Sequence, residues 1–141
     1  MTIRRKTSEE AGMAAVREVR ALFASFDSEP SETVPVPAEL KRAFAALPRS
    51  VRATFVRFTL EELATLAPGN SVEVRVPPLG VTQCVAGPRH TRGTPPSVVE
   101  TSPVAWAALV LGTCSWEQAV AAGMLDASGE RSDLSTLLPL F

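Results

Sequence analysis

Two periodicities divide the chain. Up to about residue 67, apolar positions recur at spacings of three and four; soon afterwards they alternate. Val16, Val19, Phe23 and Phe26 put one apolar face on a helix expected over residues 8–26. Thr7 and Glu10 spell a capping box, T-x-x-E, at its start. "DSEPSETVPVP" then reads as a loop, because its three prolines cannot continue a helix. A short helix is expected over residues 37–47, with Pro37 tolerated in its first turn. Beyond Pro48, Ser50 is the candidate cap of a third helix ending near Ala67. Phe55, Thr59, Leu63 and Leu66 share one side of it, and Val56, Leu60 and Ala67 widen the stripe. A stripe that wide predicts contact with more than one neighbour. "PGN" stops the helix.

In "SVEVRVPP" the period is two. Val72, Val74 and Val76 face one way while Glu73 and Arg75 face the other, as in a half-buried strand. "PPLG" turns the chain into an antiparallel partner, "VTQCVAG", and "SVVET" reads as a third strand. Ser102 followed by Pro103 predicts a helix start, and Gly112 closes "PVAWAALVLG" as a left-handed cap. Ser115 and Gln118 form a second capping box, with "WEQAVAAG" running to Gly123. A short strand, "MLDASG", and a final apolar helix in "SDLSTLLPLF", capped by Ser132 or Asp133, complete the order. The class is therefore α+β: a small, mostly antiparallel sheet with helices packed on one face.

Composition adds bounds. The 141 residues suit one domain, residues 1–141, which can bury roughly 70% of its unfolded surface without a disulfide or a metal. A net charge of −1 offers nucleic acid no general attraction. No segment reaches the ~20 apolar residues of a membrane span, and no signal-peptide core follows the charged start, so a cytoplasmic location is expected. Cys84 and Cys114 lack metal-ligand spacing and read as free, buried thiols.

Candidate chemistry is sparse. "GPRHTRGTPPSVVE" holds the single histidine, His90, flanked by Arg89 and Arg92. A general base needs an orienting partner and a metal needs three or four ligands; neither stands at a recognisable spacing. "RGTPP" is not a phosphate-binding P-loop. With Gly87, Gly93 and three prolines, the stretch reads as a rigid strand connection, His90 and Thr91 forming at most a short edge strand. An enzyme using His90 and Arg92 is the weakest reading. Ser128, Asp133 and His90 have the letters of a triad but no G-x-S-x-G elbow accompanies them. No catalytic residue, metal or cofactor is expected. Trp106 and Trp116 read as core, with pocket lining as the sharper alternative.

The residues from "SVVETSPVAWAALVLG" through "LDASG" to the terminal leucines resemble the C-terminal half of sterol carrier protein type 2 domains. Upstream, "APGNSVEVRVPPLGVTQC" resembles the bacterial branch of that family. The resemblance covers residues 50–141 and leaves residues 1–49 as an N-terminal helical extension. It implies about five strands, helices on one face and an apolar tunnel between them. It implies no enzyme, but the binding of an apolar small molecule of the lipid or fatty acyl class. The lining that follows, from residues on inward faces of the terminal helices, is Trp106, Leu109, Val110, Trp116, Val120, Leu137, Leu138 and Phe141. A protein-interaction or accessory module with a filled core, its N-terminal helix packing on a partner or on a second copy as a homodimer, is the alternative.

Overall fold

The computed structural model describes residues 5–26, 34–87 and 97–141. The loop around His90, with Arg89 and Arg92, lies outside the described residues, as does residue 1–4 at the start. Five helices and four strands follow in the order α1 (Glu9–Ala24), α2 (Ala38–Ala45), α3 (Arg49–Leu66), β1 (Val72–Val76), β2 (Gly80–Cys84), β3 (Ser97–Thr101), α4 (Pro103–Leu111), α5 (Trp116–Ala121) and β4 (Leu125–Ser128).

The cap of α1 sits one residue later than the sequence pattern suggests. Ser8, not Thr7, caps it: the Ser8 hydroxyl accepts from Ala11 N at 3.1 Å. The Thr7 N–H instead donates to the Glu61 carboxylate on α3 at 3.2 Å. Likewise α3 starts at Arg49 behind Pro48, without a side-chain cap, so Ser50 lies inside the helix. Ser102 and the Ser115–Gln118 box cap α4 and α5 as expected, and Gly112 takes φ +79°.

The sheet is mixed, in the order β2-β1-β3-β4, with two antiparallel pairings and one parallel, and among the described residues has four strands where about five were expected. β1 pairs antiparallel with β2 but parallel with β3, and β3 pairs antiparallel with β4. Ser71 explains the parallel pair. Its N–H and hydroxyl both donate to Val85 O, at 3.0 and 2.7 Å, while its own carbonyl accepts from Ser97 N at 3.1 Å. One residue thus anchors the end of β2 on one side of β1 and the start of β3 on the other. Val85, at φ +64°, makes the sharp exit between them. Both neighbours therefore meet β1 at its first residue, Val72, which pairs with Cys84 and Ser97.

Val72, Val74, Val76, Cys84 and Val99 point from the sheet into the core and are fully buried. α3 covers β2, packs α4 beside it and takes α1 on its other side. That double contact accounts for its wide apolar stripe, with Phe55, Val56, Phe58, Thr59, Leu60 and Leu63 all buried. Leu66 is the exception to the expected stripe; it is 60% exposed at the helix end. Gly12 lets α1 approach α3 closely, because a Cβ there would enter the Phe58 ring.

The final apolar helix is absent. Asp133 Oδ1 accepts from Ser135 N at 2.9 Å, a local turn rather than a helix cap, and one further turn spans Leu134 to Leu137. Pro139 has no N–H and disfavours a helical residue before it. The chain then extends, and both Leu140 N and Phe141 N donate to Val110 O, at 3.0 and 3.2 Å. Among the described residues no helix is long and apolar enough to cross a membrane.

Candidate functional site

Trp106 lies in the interior of α4 and faces α3. It has no exposure, and its indole N–H donates to the Thr59 hydroxyl at 2.9 Å. Thr59 Oγ1 in turn donates to Phe55 O at 2.7 Å. Among the described residues no buried side-chain nitrogen or oxygen lacks a partner. A mid-helix threonine in an apolar stripe was the legible half of this pair; its partner, 47 positions away, was not.

The space closest to the expected lining lies at the other end of α4. A cleft of about 190 Å³ opens between the α4–α5 turn and the tail; Leu109, Cys114, Trp116, Leu138 and Pro139 line it, with Ser115, Glu117 and Ser135 as its polar residues. Three of the eight expected lining residues, Leu109, Trp116 and Leu138, thus meet at one cavity. The Ser115–Gln118 capping box holds the first turn of α5, and with it Trp116, against the cleft. Trp116 keeps 9% exposure, whereas Trp106 has none.

The remaining five residues sit elsewhere. Val110 is fully buried and offers its carbonyl to the tail. Phe141 stacks on Phe58, with ring centroids 6.1 Å apart. Leu137 is half-buried against the core. Val120, on α5, is 51% exposed and lines none of the cavities described here.

A second cleft of about 320 Å³ adjoins the first. Phe23 and Phe26 at the end of α1, Pro35, Pro37 and Leu40 around α2, and Gly112 line it. Gly112 borders both clefts, because its left-handed conformation turns α4 sharply and a Cβ there would press within 3.2 Å of Pro139. Sequence periodicity assigned Phe23 and Phe26 to an apolar face but carried no signal that this face would abut the α4–α5 turn.

Thiol chemistry at the smaller cleft is weak. Burial pushes the Cys114 thiol above its ordinary pKa, and pushes the Cys84 thiol on β2 up to about 11. Both cysteines are free and buried, and a protonated thiol is a poor nucleophile. Asp133 is held below the ordinary carboxylate range by hydrogen bonds from Ser135, that from the backbone N–H first. Among the described residues no group of histidine, cysteine and carboxylate side chains is arranged to hold a metal ion.

A family model described as a bacterial SCP ortholog matches residues 48–140. The matched span runs from α3 to the tail. It contains the smaller cleft entirely, and α1 and α2, which complete the larger one, precede it. Among curated proteins none matches the chain.

Proposed function

The chain belongs to the bacterial sterol carrier protein (SCP) ortholog family, and from that premise we propose that it binds an apolar small molecule of the lipid or fatty acyl class without catalysing a reaction. The observation that carries the proposal is the pair of clefts abutting at Gly112, the larger of them mainly apolar. Aliphatic and aromatic side chains dominate the larger, which reaches the lower end of the ~300–1,000 Å³ usual for ligand pockets, while the smaller adds Ser115, Glu117 and Ser135 to its apolar wall. An acyl chain lying across Gly112 would shelter apolar surface worth ~25 cal/mol per Å², less the cost of association. Leu109, Trp116 and Leu138 are the lining residues this reading keeps; Trp106 acts behind them as core.

A second reading stands on a separate observation. Between the sheet and the helices, the space is filled by Phe55, Leu63 and the hydrogen-bonded Trp106. A filled centre suits an accessory or protein-interaction module, including a homodimer. One experiment separates the two. Oleate is titrated into single-tryptophan variants, Trp106→Phe and Trp116→Phe, while native mass spectrometry records mass and bound lipid. The carrier reading expects a blue shift from Trp116 alone and a melting temperature that climbs with ligand. No shift at saturating oleate, together with a dimer mass, would establish the module instead.

A further inference from the structure

We propose that the outer edge of β2, with the groove between it and α3, docks the C-terminal end of an extended partner peptide through its free carboxylate. β2 is an edge strand, and no described strand pairs with its outer side. Its sequence, GVTQC, has neither charge nor proline. Edge strands left without such protection are templates for another strand. The opposite edge, β4, carries Asp126 and so is guarded in the usual way. Val81, the second residue of β2, is an apolar side chain left 58% exposed on this strand.

The groove beside this edge has about 320 Å³, lined by Leu60, Ala64 and Leu79 below and by Lys6 and Arg57 as its cations. Glu61 also borders it and would ordinarily neutralise Arg57, since the two stand four apart on one helix. Its carboxylate is diverted. It accepts from the backbone N–H of Lys6 at 3.0 Å and of Thr7 at 3.2 Å, tying the N-terminal segment to α3. Among the described residues no carboxylate pairs with the side chain of Arg57 or Lys6. Glu61 keeps its charge in those bonds, so two cations and one carboxylate border the groove and leave it one net positive charge, with Arg57 unpaired beside Gly80.

The direction of the guest follows from the position of Arg57. A Cβ built on Gly80, the first residue of β2, would lie 3.9 Å from Arg57 Cγ. A peptide added antiparallel to β2 places its last residue opposite Gly80, and so its carboxylate beside that guanidinium. Main-chain hydrogen bonds to the edge supply affinity, the guanidinium reads the terminus, and the floor of Leu60, Ala64 and Leu79 takes an apolar terminal side chain. This groove lies between α3 and β2, apart from the clefts at Gly112, so the two proposals stand or fall separately.

The test uses phage-displayed random heptapeptides with free C-termini, followed by the selected peptide as free acid and as amide. Binding is read by fluorescence anisotropy and by backbone amide shifts. The expected result is enrichment of an apolar last residue, shifts confined to residues 80–83 and their neighbours on α3, and about tenfold weaker binding for the amide or for Arg57→Gln. Arg57 is exposed, and a melting curve matching that of the parent shows that the variant is folded. Three results would each overturn the proposal: no enriched terminus, equal binding of acid and amide, or concentration-dependent shifts at residues 80–83 without peptide, which would place a second copy of the chain on the edge.

Discussion

Replacing Thr59 by valine asks whether the space between sheet and helices is closed. The substitution keeps the shape of the side chain and removes one hydroxyl. In the parent that hydroxyl accepts the Trp106 indole N–H at 2.9 Å, with both residues at 0% exposure. The Phe55 carbonyl loses the donation from Thr59 Oγ1 but still serves the helix ladder, so its loss is small. The indole N–H has no second acceptor among the described residues. A buried donor left unpaired costs about 1–3 kcal/mol. About 2 kcal/mol in a chain of this length lowers the melting temperature by roughly 7 °C. Thr59→Ser, which keeps the acceptor, should lose only about 1 kcal/mol for the missing methyl group. Urea denaturation followed by far-UV circular dichroism measures each variant, with an unchanged m-value as the check on two-state behaviour. Adding Trp106→Phe removes the orphaned donor, so the double variant should be less destabilised than the sum of the single ones by about 1–2 kcal/mol. Costs below ~0.5 kcal/mol for Thr59→Val, with strict additivity in the double variant, would refute the reasoning. They would mean that water reaches the indole, and that an open tunnel runs where the structure has a packed core.

Three further outcomes are expected. Gly12→Ala should destabilise by about 1–3 kcal/mol, read as a drop in melting temperature, because the overlap of a Cβ with Phe58 outweighs the ~1 kcal/mol that alanine gains as a helix former. Deleting residues 138–141 removes the Phe141–Phe58 stack and one wall of the smaller cleft; it should cost several kcal/mol and red-shift Trp116 more than Trp106. Neither cysteine should react with a thiol reagent at pH 8 in the folded protein, and both should react in urea without reductant. Because the folded Cys84 pKa is raised to about 11, its contribution to stability is complete below the unfolded thiol pKa, near 9, and is lost as pH rises through 11; a melting temperature flat from pH 8 to 11 would contradict that.

Local signals determined much of this protein. The alternation of Val72, Val74 and Val76 sufficed for β1, because side chains on a strand divide between two faces whatever lies above them. Ser102–Pro103, Gly112 and the Ser115–Gln118 box sufficed for α4 and α5, since a cap bonds to its own helix within three residues. The resemblance in residues 50–141 agreed with the matched span, 48–140, and so did the α+β class. Other features were decided by tertiary structure. "SDLSTLLPLF" has the apolar content of a helix, yet Leu140 and Phe141 find their acceptor on Val110, in another element. Whether β3 would run parallel to β1 depended on Ser71 bonding to Val85 and Ser97 at once, which no periodicity records. The expected lining was scattered for the same reason. Apolar spacing says which face of a helix turns inward, but not which neighbour fills that side. Trp106 therefore became core against Thr59, Val120 was left half exposed, and Leu109, Trp116 and Leu138 came together at a cleft that the distant Phe23, Phe26 and Leu40 extend across Gly112.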